Sequence, residues 1–129
     1  MAALRYNQIR NVWQTLQGVQ MALPDGLVLF VKRGCPACEL VQPVLCELAA
    51  EGAQIHSQND PEFPAGAANI LDDRELEQSF RHNVETVPTL IRFENGREVA
   101  RVVGWERNEW RTLTGKPALG EALPPYRPG

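Results

Sequence analysis

A chain of 129 residues that is 43% hydrophobic and 22% charged has the make-up of one soluble globular domain. Its net charge of -3, without a basic block or stripe, excludes a nucleic-acid backbone as the expected partner. No run approaches the roughly 18 unbroken apolar residues of a membrane span, so no membrane association is expected.

The amino-terminal stretch MAALRYNQIRNVW is dotted with polar residues, and no secretory signal is expected there. Ile9, Val12, Trp13, Leu16, Val19 and Leu23 then recur at helical spacing, with Arg10, Asn11, Gln14 and Gln17 on the other side. Pro24, Asp25 and Gly26 end that helix in a turn. Residues 27–31, LVLFV, are continuously apolar, as suits a strand buried on both faces of a sheet. Lys32, Arg33 and Gly34 break the run.

From Pro36 the pattern is helical again, with Leu40, Val41, Val44, Leu45 and Leu48 on one stripe. Pro36 suits the first helical turn, whereas Pro43 predicts a kink. Residues 53–58 form a weaker strand candidate, followed by a long loop over 59–69. Asp72 with Glu75 resembles a capping box opening a short helix through Leu76 and Phe80. Residues 89–94 and 97–103 read as two strands joined by the hairpin signal Asn95-Gly96. ERNEWRTL (106–113) reads as a last helix, for which Trp105 and Trp110 are core anchors. Residues 115–129 are Pro-rich without periodicity and are expected to be an extended or disordered tail on a domain spanning 1–114. A parallel strand–helix–strand unit joined to an antiparallel pair predicts an α/β fold, with a central mixed sheet flanked by helices on both faces.

The chemistry concentrates at Cys35 and Cys38, where a buried strand hands over to a helix. Unpaired N–H groups and the helix dipole at the first turn favour a thiolate there, and Lys32 and Arg33 act in the same sense against Glu39. Three-residue spacing puts both sulfurs on one helix face, with Pro36 and Ala37 forming the helix start between them. Cys35, at the exposed start, is then the attacking thiol, and Cys38, one turn deeper, resolves the mixed disulfide. The competing readings are two inert thiols, or part of a metal site. Zinc would need Cys46 and a histidine as well, and no second close-spaced pair exists, so no metal is expected. Cys46 reads as a packed bystander and His82 as a helix-end residue. An odd cysteine count with one close pair fits a reducing, cytoplasmic location.

The segments LVLFVKRGCPACELVQPV (27–44) and ETVPTLIRFENGREVARVVGW (85–105) resemble the thioredoxin superfamily, over roughly residues 9–114. The resemblance implies a thioredoxin-like fold in which Cys35 and Cys38 are the redox pair and Pro43 bends the active-site helix. It implies that Pro88 is a cis-proline facing the cysteines, with the Val87 backbone available to pair with an extended substrate. Gly96 and Gly104 match the hairpin glycine and the glycine beyond the last strand. Three positions depart from the pattern: Leu29 stands where thioredoxins carry a buried Asp, Gly34 where they carry Trp, and Pro36-Ala37 where they carry Gly-Pro. His56 lies close to a family lysine near that Asp and, pointing inward, would move protons for Cys38. The implied activity is thiol–disulfide exchange on protein or small-molecule disulfides, without a cofactor, by a monomer drawing electrons from a reductase or thiol pool. A binding or redox-sensing module without efficient turnover is the alternative.

Overall fold

The computed structural model describes residues 25–129; the amphipathic segment at 9–23 lies outside them. The apolar run after Pro24 forms β1 (Gly26–Val31), whose residues from Val28 onward are fully buried. A strand sealed on both faces needs neighbours on both edges. On one edge β1 pairs in parallel with β2 (Gln54–Ser57), and on the other it pairs antiparallel with β4 (Thr89–Glu94). Beyond β4 lies β5 (Arg97–Val103), reached through the Asn95-Gly96 hairpin, where both residues adopt positive φ. Beyond β2 lies the parallel edge strand β3 (Ile70–Asp72), so the sheet order is β3-β2-β1-β4-β5.

β3 was not expected. Three residues are too few to show a period of two, and the loop at 59–69 turns out to be the crossover that carries the chain from β2 back to the parallel β3. The helix after Cys35 is two pieces, α1 (Pro36–Leu40) and α2 (Gln42–Ala50). Pro43 has no N–H for the Glu39 carbonyl one turn back, so the interruption falls at Val41 and Pro43 sits in the first turn of α2. α3 (Glu77–Arg81) begins later than the Asp72–Glu75 spacing suggested. Asp72 pairs with Arg74, and the neighbouring Asp73 does the capping: its carboxylate accepts the Gln78 N–H at 2.9 Å and the Ser79 N–H at 3.0 Å. Phe80, on that helix, is 86% exposed.

β6 (Trp105–Glu106) leads into α4 (Arg107–Thr114), capped by the Glu106 carboxylate, which accepts the Glu109 N–H at 2.7 Å. Trp105 and Trp110 are both fully buried, edge to face with ring centres 5.0 Å apart. The tail, expected extended or disordered, folds back onto them as a series of turns. Leu119 is 2% exposed, Trp105 Nε1 donates to the Pro124 carbonyl at 2.7 Å, and β7 (Tyr126–Arg127) pairs antiparallel with β6. Turns have no period for a sequence pattern to show, although their apolar residues still bury. One face of the sheet, with Leu29, Val31, Ile55, Leu90 and Val102, packs against α2, the two tryptophans and Leu119. The other carries Val28, Phe30, Ile91 and Phe93. Among the described residues, no helix is long and apolar enough to cross a membrane.

Candidate active site

The end of β1 delivers the chain to a short turn, and Gly34, at φ +88°, swings it into α1. Cys35 is the N-cap of α1, with extended backbone (φ -81°, ψ 119°), and its Sγ accepts the Cys38 N–H at 3.3 Å. A side chain at the N-cap takes one of the donors that the first helical turn leaves free, and that contact strengthens when the acceptor is charged. The Cys35 S–H in turn donates to the Val87 carbonyl at 3.4 Å. The Val87–Pro88 peptide is cis, and Pro88 is buried beside a half-buried Val87. Two segments far apart in sequence, 34–38 and 87–88, thus meet around one half-exposed sulfur. Pro36 occupies the first helical position and is exposed, whereas Ala37 is fully buried.

Cys38 is fully buried against Leu29, Val31, Val41 and Leu45. Burial, reinforced by the hydrogen bond with Cys35, pushes its thiol far above the ordinary range. All three cysteines are free thiols; Cys46 is half-buried, its S–H 3.5 Å from the Ala65 carbonyl.

His56 does not serve Cys38. Register sets Leu29 beside Ile55 and Phe30 beside His56, and consecutive strand residues face opposite sides. Cys38 packs with Leu29 and Ile55, while the His56 ring stacks on Phe30 at 4.8 Å, across the sheet. There His56 is 3% exposed and neither ring nitrogen has a hydrogen-bond partner in the described residues. Burial therefore lowers its pKa to about 4, with Asp73 opposing and His82 assisting. Leu29 lies in the same buried cluster as Cys38, and position 29 supplies no carboxylate to it. His82 lies on the same side as His56, 6.2 Å from Phe30, and is lowered by burial and then by Arg81 and Arg101.

Two supports of the site were not visible in the sequence. Glu39, read as a weak electrostatic opponent, accepts the Gly34 N–H at 2.8 Å and is itself held by Gln42 at 3.1 Å. It therefore ties the turn before Cys35 to the helix after it. The second support is the crossover loop. Asn59 brackets Arg33, accepting its N–H at 2.8 Å and donating to its carbonyl at 2.9 Å. Asp60 pairs with the Arg33 guanidinium, which lies 5.7 Å from the centre of the buried Phe63 ring. Asn-Asp-Pro in a long loop is the only local signal, and nothing in it names Arg33, 26 residues earlier, as the partner. Among the described residues, no group of three or more His, Cys, Asp or Glu side chains is placed to hold a metal ion.

No family model matches the chain. It is 37% identical over 92 residues to a thioredoxin of Chlamydia pneumoniae, covering 70% of this chain and 80% of that one. It is 34% identical over 83 residues to a thioredoxin of Staphylococcus aureus, covering 64% and 71%. Among solved structures, a thioredoxin of Malassezia sympodialis superposes with a TM-score of 0.51 at 18% identity, covering 86% of this chain and 84% of that one. The germline-specific thioredoxin Deadhead of Drosophila melanogaster gives 0.50 at 16% identity, with coverages of 84% and 93%. These structural likenesses concern the fold.

Proposed function

The chain belongs to the thioredoxin family of thiol–disulfide oxidoreductases, and on that premise we propose that Cys35 and Cys38 are its working dithiol. The observation that carries this reading is the position of Cys35 Sγ, between the Cys38 N–H at 3.3 Å and the Val87 carbonyl at 3.4 Å. The first contact stabilises an anionic sulfur, and the second marks the backbone along which an extended substrate would lie.

In the forward direction the Cys35 thiolate attacks one sulfur of a substrate disulfide. A Cys35–substrate disulfide forms and the other substrate sulfur departs as a thiolate, which takes up a proton. Cys38 gives up its proton, its sulfur attacks Cys35, and the second substrate sulfur leaves. Two electrons have passed to the substrate, and the protein holds a Cys35–Cys38 disulfide. A dithiol reductant, from a partner reductase or a thiol pool, returns the protein to its starting state. We place this cycle in the cytoplasm, in a monomer, in the direction of substrate reduction, with protein or small-molecule disulfides as substrates.

One observation favours a second reading, a binding or sensing module with little turnover: Cys38 is fully buried in a cluster of apolar residues that includes Leu29 and holds no acid. Reduction of insulin by dithiothreitol separates the two. Cys35→Ser should bring the rate down to that of dithiothreitol alone, and Cys38→Ser should stop at a covalent insulin adduct visible by mass. A Cys35→Ser variant as fast as the parent protein would remove the oxidoreductase reading and leave the module.

A further inference from the structure

The tail does more than cover the tryptophans. Pro124 and Pro125 are held by Trp105 Nε1 at 2.7 Å and by the Arg107 N–H at 2.9 Å, so the chain leaves this anchor in a defined direction. It then pairs Tyr126 and Arg127 with Glu106 and Trp105 and runs past Gly104 to the cis peptide. A methyl group on Gly104 would lie 3.1 Å from the Gly129 nitrogen, and one on Gly129 would lie 2.5 Å from the Val87 carbonyl oxygen. That oxygen is the one 3.4 Å from Cys35 Sγ. A side chain at Gly129 would collide with Thr86 and the Val87 backbone, and one at Gly104 would press on Gly129, so the segment lies close against the backbone that the proposed cycle gives to the substrate.

We propose that Tyr126–Gly129 is a strap across the substrate groove, which an extended polypeptide must lift and a small disulfide need not. The inference rests on the reading of Cys35 and Val87 given above. The strap's own hold is slight: a two-residue ladder, with Tyr126 62% exposed. Its upstream anchor is firm, because Leu119 is buried and Arg107 and Arg111 donate to the Leu123 and Leu119 carbonyls at 2.8 Å. A two-residue ladder opens at little cost, whereas the anchor keeps the strap near the groove. A substrate that competes with a tethered segment sees its apparent affinity reduced by the fraction of open molecules. The strap therefore sets specificity by shape: chain disulfides are held back, and compact ones pass to the half-exposed sulfur.

Two variants test this. Deleting Tyr126–Gly129 leaves Leu119, Pro124 and Pro125 in place, and Gly129→Val keeps the segment while clashing with Val87. Each is compared with the parent protein in insulin reduction and in reduction of bis(2-hydroxyethyl) disulfide. Capture of Cys35 by a polyethylene-glycol maleimide and by iodoacetamide is mapped by peptide mass. Both variants should accelerate insulin reduction and maleimide capture by about threefold or more, with the two small reagents changed by less than about twofold. Unchanged maleimide capture overturns the strap. So does faster capture without faster insulin reduction in an active protein, because the segment would then shield the thiol without competing with substrate. Faster capture in proteins that never reduce insulin above the dithiothreitol background upholds the steric contact and sinks the oxidoreductase reading instead.

Discussion

Cys38 and His56 are two buried titratable side chains on opposite faces of one sheet, and burial acts on both by the same physics. Removing water disfavours whichever form is charged, so the thiol is pushed up and the imidazole down, and both sit neutral in the folded protein. Their surroundings differ. Cys38 lies one helical turn from a half-exposed sulfur, to which its backbone N–H donates. His56 has a flat neighbour, Phe30, and no partner for either nitrogen among the described residues. A perturbed group therefore signals chemistry only when a reacting atom lies within its reach. Here the plane of the sheet separates the group that can take part from the one that cannot.

The largest expected effect tests the first half of this contrast. A thiol held far above neutrality reacts through its small thiolate fraction, which grows about tenfold per pH unit. In the mixed disulfide between Cys35 and a substrate, release by Cys38 should accelerate on the order of a thousandfold between pH 6 and pH 9. Stopped-flow decay of a preformed adduct measures this. A rate that levels off near pH 7 would mean that some group on the Cys38 side takes the proton, and the contrast between the two faces would lose its basis.

The second effect is thermodynamic. The imidazole of His56 titrates at 6.5 in the unfolded chain and at about 4 in the folded one, so between those values the unfolded state binds the extra proton. Stability is therefore full above pH 6.5 and falls as pH drops towards 4, by about 3 kcal/mol in all. Asp60, Asp72 and Glu98 are held below their usual values by hydrogen bonds and arginine neighbours, and they add their own losses only at the acid end. Urea midpoints at pH 7.5 and pH 5 should differ clearly for the parent protein. In His56→Leu most of that difference should vanish, leaving the smaller share of His82, which is also lowered. An undiminished pH slope in the variant would show that His56 is not the buried proton acceptor.

The same contrast marks what the sequence could reveal. β1, the Asn95-Gly96 hairpin and the Cys35–Cys38 spacing at a strand-to-helix junction are local signals, and the structure keeps all three in place. The side to which His56 points depends on a register fixed by pairing with β1, and a shift of one residue would have put it beside Cys38. Similar parity explains the cap: Asp72 and Asp73 are adjacent and chemically equal, and only the crossing of β3 decides which carboxylate turns toward Ser79. The Asn59–Arg33 bracket and the packing of Leu119 against the tryptophans join residues distant in sequence, and loops and turns carry no periodicity to announce them.

Phe80 supplies the smallest expected effect and compares the helices packed on the two faces. On the Cys38 side, apolar residues of α2 such as Val44, Leu45 and Leu48 are buried to within 2%. On the other side α3 turns Phe80 into solvent at 86% exposure, although its neighbour Ser79 is buried and bonded to Asp73 at 2.6 Å. An exposed side chain with no ring partner among the described residues contributes little, so Phe80→Ser should change unfolding free energy by less than about 0.5 kcal/mol. Leu45→Ala, on the covered face, should cost about 2–5 kcal/mol in the same urea titration. The ratio of the two losses is the quantity of interest. If Phe80→Ser costs as much as Leu45→Ala, then the Phe80 ring is covered in solution, and the contrast between α3 and α2 disappears.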